Sequence, residues 1–163
     1  MRAAPLRPTP HPLPRNTSSS NSGSDSNAYK VGQTFEDGSL QITVNSVKMT
    51  KTVGDVADGL GDTANDVFYV VNVTVKNNGT SPTTIDDSMF TLQANGSTYD
   101  ADTNADVDDN TDANNDMFLN QLNPGVSMSG NVVFDVPPNL TKNVDMVIQG
   151  GMLGLAQATV QLT

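Results

Sequence analysis

Residues 67–77 read VFYVVNVTVKN. Val67, Tyr69, Val71, Val73 and Val75 fall on one face at a spacing of two, with Asn72, Thr74 and Lys76 on the other. β-Branched and aromatic residues at that period predict a strand with one face in a core. Asn77-Asn78-Gly79 ends it with strong turn chemistry.

The same period extends outward from this strand. In residues 39–50, Leu40, Ile42 and Val44 are in phase, while Val47 and Met49 are in the opposite phase. A β-bulge near Asn45-Ser46 is expected to return them to the same face. Residues 51–66, rich in Gly and Asp, read as a long loop. Downstream, Phe90, Leu92 and Ala94 lead into Asn95-Gly96 and a second short strand over 97–101, a clear hairpin signal. Residues 102–116 hold no plausible strand. Residues 118–122 are expected as a short strand closed by Asn123-Pro124-Gly125. Residues 126–136 place Val126, Met128, Val132, Phe134 and Val136 on one face, and residues 143–149 do the same with Val144, Met146 and Ile148. A last strand over 156–162 follows the break at Gly150-Gly151. Seven to nine short strands separated by turns, without helical periodicity, predict a single antiparallel β-sandwich over 29–163, with a barrel as the alternative.

Composition agrees and narrows the chemistry. The chain has 163 residues, with 8 Lys+Arg against 18 Asp+Glu and a net charge of −10. Seventeen of the 18 acids are Asp, and Glu36 is the one Glu. Scarce Glu, Lys and Arg leave little material for surface helices. Such an acidic chain repels phosphate backbones, which argues against nucleic acid as a partner. Cys is absent, which excludes disulfides, thiol nucleophiles and thiolate metal sites. The single His, His11, lies in a Pro-rich stretch unsuited to holding a catalytic base. Residues 1–28 pass from that Pro/Arg-rich stretch to a Ser/Asn/Gly-rich one, and read as a disordered tail or spacer.

Five segments in order carry a resemblance: Val31-Gly32-Gln33-Thr34, then SLQITVNSVK (39–48), YVVNVTVKNNGTSP (69–82), FTLQANGSTYDA (90–101) and LNPGVSMSGNVVFDVP (122–137). Together they resemble the telokin-like, immunoglobulin-like domain of bacterial and archaeal surface lipoproteins, domain-of-unknown-function family 4352. The resemblance implies an immunoglobulin-like β-sandwich similar to secreted mycobacterial immunogenic proteins. It also implies an extracellular or cell-surface address and a lipobox or membrane anchor ahead of a polar spacer. The chain as given shows no signal peptide or anchor, so a membrane is expected as a partner only through a missing lipid anchor or upstream segment. The family offers no catalytic residues to carry over.

The one unusual chemical feature is the Asp-rich stretch over 100–112. Asp100, Asp102, Asn104, Asp106 and Asp108 present the oxygen ligands that a hard cation such as Ca²⁺ takes. The EF-hand pattern fails, because Ala105 and Thr111, or Val107 and Ala113, stand where Gly and an acid are needed. The stretch therefore reads first as a solvated acidic loop, and second as a weak Ca²⁺ site; no other cofactor is expected. Asp86-Asp87 and Asp108-Asp109 lack the rigid placement that paired catalytic carboxylates need. Met89, Met128 and Met146 sit in strand phase as core filler. The expected function is a non-enzymatic surface binding module for a protein or cell-envelope component, with a structural spacer as the alternative.

Overall fold

The computed structural model describes residues 28–109, 117, 118, 120–150 and 157–163. Apart from residue 28, the expected tail lies outside these residues. So do Gly151 and Ala156 at the expected last turn and strand, and the acidic stretch beyond Asp109. Eleven strands are present among the described residues: β1 (Tyr29–Lys30), β2 (Thr34–Asp37), β3 (Leu40–Asp55), β4 (Leu60–Asn77), β5 (Thr83–Thr84), β6 (Phe90–Ala94), β7 (Ser97–Asp100), β8 (Gln121–Leu122), β9 (Ser127–Val136), β10 (Val144–Ile148) and β11 (Ala158–Gln161). A 3-10 turn, Asp87–Met89, leads into β6, and one helix, α1 (Thr103–Asp109), follows β7.

Two sheets face each other, ordered β1-β11-β10-β6-β7 and β2-β3-β4-β9, with β5 and β8 forming a small ribbon. The sandwich is antiparallel as expected, apart from the two-residue pairing of β1 with β11, which is parallel. The chain crosses between sheets at Gly32 (φ 86°), whose N–H donates to the Val44 carbonyl at 2.7 Å.

β4 lies between β3 and β9, and over Phe68–Val71 it is buried on both faces. Tyr69, Val71, Val73 and Val75 meet Phe90, Leu92, Met146, Ile148 and Val160 of the opposite sheet in the main core. Phe68 and Val70 point the other way, into a second cluster with Val53, Ala64, Val133 and Ala105 of α1. Burial pushes the Tyr69 hydroxyl pKa up. The remaining outer face of this sheet is polar. Asn45 Nδ2 donates to Asn72 Oδ1 at 2.8 Å, Asn72 Nδ2 donates to Asn131 Oδ1 at 2.7 Å, and the Thr74 and Ser129 hydroxyls share a bond of 2.7 Å.

Residues 51–66 are not the expected loop. β3 and β4 continue as a projecting hairpin that closes over 56–59. Its glycines serve a ribbon: Gly54 and Gly59 have φ of 64° and 75°, and a Cβ on Gly61 would lie 2.5 Å from the Val53 carbonyl oxygen. The ladder breaks at the base of this ribbon, where Thr50 pairs with Phe68 but Thr52 pairs with Thr63. Lys51 Nζ gathers the carbonyls of Ala64, Asn65 and Asp66 left over there. Asp135 of β9 accepts from the backbone N–H groups of Asn65 at 2.8 Å and Asp66 at 3.4 Å. The break leaves these backbone groups without ladder partners, and the pair supplies them.

The bulge at Asn45 is where the sequence puts it, since Val44 pairs with Val73 and Ser46 with Asn72. Val47 returns to the main core, whereas Met49 remains 44% exposed. Asn95-Gly96 forms the expected turn, with φ of 52° and 79°. The strand expected over 118–122 shortens to Gln121–Leu122, Val126 is exposed ahead of β9, and Met89 belongs to the 3-10 turn rather than a strand.

Val71→Asp is expected to unfold the domain. An unpaired carboxylate at this fully buried site costs several kcal/mol, against a typical net stability of about 5–15 kcal/mol. Loss of the β-sheet circular dichroism at 25 °C checks it; a melting point within a few degrees of wild type would remove Val71 from the core.

Candidate functional site

As far as Asp109, the Asp-rich stretch is the end of β7 and helix α1 rather than a loop. Asp100 ends β7 and is exposed, as is Asn104 on α1. Asp102 precedes α1, and its Oδ1 accepts from the N–H groups of Asn104 and Ala105, both at 3.2 Å. Short acids at this position satisfy the helix's first donors and face the positive end of its dipole. Asp106 is only 1% exposed and turns inward, where its Oδ1 accepts from the backbone N–H of Val133. The Asp102 N–H donates to the Val133 carbonyl at 2.8 Å. One residue of edge strand β9 thus has both outward backbone groups taken, the carboxylate standing where a neighbouring strand's carbonyl would be. The Asp108 side chain lies outside the described residues. Among the described residues, no three His, Asp or Glu side chains converge as metal ligands would.

A groove of about 680 Å³ opens at one end of the sandwich, within the ~300–1,000 Å³ range of small-ligand sites. Gly38 and Ser39 of the β2–β3 turn form one wall, and Gly79 to Thr84 with Asp86 and Met89 form the other; Gln149 and Gly150 after β10 complete it. Fully buried Asn77 builds the second wall. Its Nδ2 donates to the carbonyls of Ser81 at 2.8 Å and Leu122 at 2.9 Å, and its Oδ1 accepts from Gly79 N–H at 2.8 Å. Gly79 allows close approach, since a Cβ there would sit 2.9 Å from Ser39 Cβ.

Two carboxylates belong to this end. Asp86 caps the 3-10 turn, accepting from Ser88 N–H at 2.9 Å. Hydrogen bonding from Ser88 holds its pKa below the usual carboxylate value, so it is ionised at neutral pH. Asp37 is 3% exposed beneath the β2–β3 turn. Its Oδ2 accepts from Gly150 N–H at 2.6 Å, while Oδ1 has no hydrogen-bond partner. No Lys, Arg, His or Cys lines the groove. Its lining offers hydroxyls, an amide and the Asp86 carboxylate, that is, hydrogen bonds and one negative charge. None of these residues forms a sequence motif. The turn signal at Asn77-Asn78-Gly79 marked one of the segments, but only folding brings it beside the β2–β3 turn.

Residues 29–158 match the family described as a domain of unknown function, DUF4352. No curated protein matches the sequence. Among solved structures, the yjhA protein from Bacillus subtilis is similar with a TM-score of 0.61 at 18% identity, over 83% of this chain and 99% of that one. A putative lipoprotein, ycdA, from Bacillus subtilis gives 0.54 at 18%, over 79% of this chain and 38% of that one. The secreted protein MPT63 from Mycobacterium tuberculosis gives 0.53 at 16%, over 85% and 99%. At these identities the likeness is one of fold.

Asp106→Ala strands the buried Val133 N–H and is expected to cost about 1–3 kcal/mol; Asp106→Asn, which keeps an acceptor oxygen, loses less. Urea unfolding midpoints of the two variants separate the hydrogen bond from the charge. Calcium titration calorimetry on the full chain is expected to give no site tighter than the roughly millimolar range of weak extracellular modules. A stoichiometric sub-micromolar site would contradict this.

Proposed function

The chain belongs to the DUF4352 family of domains of unknown function, and on that footing we propose that it is a non-enzymatic binding module working outside the cytoplasmic membrane. The groove at the end of the sandwich is its seat for a protein or cell-envelope component. The observation that carries this reading is the lining of the groove: hydroxyls of Ser39, Thr80, Ser81, Thr83 and Thr84, the Gln149 amide and the Asp86 carboxylate, without a basic residue. Such a surface recognises a neutral or positively charged polar group by hydrogen bonding. The address is supported by two fold neighbours described as a secreted protein and a putative lipoprotein. The Ser/Asn/Gly-rich composition of residues 16–27 suits a tether between such a domain and a surface.

Ser81→Arg tests the seat. Ser81 is exposed, and its side chain can lengthen without entering the core. The full-length protein is expected to be retained on washed envelopes of its host. The variant should bind about tenfold more weakly, which is ~1.4 kcal/mol, with an unchanged unfolding midpoint. Equal retention of the two proteins would place binding elsewhere, and no retention of wild type would overturn the reading.

A further inference from the structure

The tripeptide Asn-X-Ser/Thr is the acceptor for N-linked glycans. It occurs four times among the described residues: Asn72-Val73-Thr74, Asn78-Gly79-Thr80, Asn95-Gly96-Ser97 and Asn139-Leu140-Thr141. The fold separates these into two kinds.

Asn72 lies within β4, half-buried. Its Nδ2 donates to Asn131 Oδ1 at 2.7 Å and to the Gly130 carbonyl at 3.3 Å, and its Oδ1 accepts from Asn45. The Thr74 hydroxyl is bonded to Ser129 and Asn45. Asn78 is exposed but its backbone is pinned. Its N–H donates to the Ser39 carbonyl at 2.9 Å, and Gly79 packs against Ser39 with no room for a Cβ. Asn95, Gly96 and Ser97 are all exposed on the β6–β7 turn, and nothing lies within 4 Å of a Cβ built on Gly96. Asn139 and Thr141 are exposed on either side of Leu140, whose buried side chain anchors the turn.

Both open tripeptides lie at one end of the molecule. Ala94 pairs with Val144, which sets the 95–96 turn beside the loop that carries Asn139. The groove is at the other end, because Gln149 and Gly150 follow Ile148, which pairs with Phe90.

We propose that Asn95 and Asn139 are N-glycosylation sites, placed so that their glycans cover the end of the sandwich opposite the groove. The co-substrate is an oligosaccharide linked through phosphate to a lipid. Asn Nδ2 forms a bond to the anomeric carbon as the carbon–oxygen bond to phosphate breaks. The phosphate leaves with the electron pair, and a base of the transferase takes one proton from Nδ2. Ser97 and Thr141 supply the hydroxyl that the transferase requires two residues after the asparagine.

This proposal rests on the extracellular address given under the proposed function, so the test reads address and modification separately. The full-length protein is recovered from the outer and cytoplasmic fractions of its own host and analysed by intact-mass and peptide mass spectrometry. The expected result is exported protein carrying glycan mass on the peptides containing Asn95 and Asn139. Ser97→Ala and Thr141→Ala should each remove one glycan, while Ser97→Thr and Thr141→Ser keep it, a hydroxyl dependence that a folding defect would not reproduce. Exported protein of bare polypeptide mass, or occupancy at Asn72 or Asn78 with Asn95 and Asn139 bare, overturns the proposal and leaves the address intact. Protein found only in the cytoplasm overturns both.

Discussion

A strand buried on both faces over Phe68–Val71 sets the terms for the rest of this molecule. β4 sends Tyr69, Val71, Val73 and Val75 into the main core and Phe68 and Val70 into the second cluster. It must therefore lie inside its sheet, with β3 and β9 hydrogen-bonded on either side. The outer surface must be covered where Phe68 and Val70 emerge, and Ala105 of α1 supplies the cover. Because α1 is short, packing rather than intrinsic propensity holds it. Asp102 and Asp106 tie it to Val133, so the contacts that cover the outer face also close part of the β9 edge.

The preference for Asp over Glu gains a physical meaning from these contacts. Asp37, Asp86, Asp102, Asp106 and Asp135 each accept from a backbone N–H. A one-carbon stem holds the carboxylate close to its own or an adjoining strand, where it stands in for a missing carbonyl partner. Asp135 and Lys51 do this together at the break in the β3–β4 ladder, the carboxylate taking the donors and the ammonium the acceptors. The ribbon beyond the break presents Val56 and Leu60 at its tip, the latter 65% exposed. The acids that make the chain strongly anionic thus also settle backbone groups that the sheets leave unpaired.

The two ends of the sandwich differ in character. One end gathers the β2–β3 turn, residues 79–84 and the end of β10 around a polar groove. The other carries the turn at Asn95-Gly96 and the loop holding Asn139. Antiparallel strands distribute turns to both ends, so a recognition surface can be built at one without disturbing the other. Buried Asn77 is central to the groove, because its amide joins β4 to the Ser81 and Leu122 carbonyls.

The sequence alone determined the strands whose side chains alternate without interruption. The core face of β4, the bulge at Asn45, the Asn95-Gly96 turn and the core residues of β6, β9 and β10 are written in local periodicity and turn chemistry. The resemblance to a known family likewise rested on those segments, and the match over residues 29–158 agrees with it. The hairpin over 51–66 was hidden because glycine with positive φ marks a ribbon turn and a loop equally well, and the need for Gly61 arises only when Val53 approaches it. Helix α1 was hidden because Ala105 and Asp106, which turn inward, acquire their purpose from Phe68, Val70 and Val133 across the sheet. The groove was hidden for the same reason. Its walls come from turns far apart in the chain, and only the pairing of β3 with β4 and of β10 with β6 sets Ser39, Gly79 and Gly150 side by side. Local chemistry fixes which residues extend and which turn; the long-range contacts that the core imposes decide which turns meet.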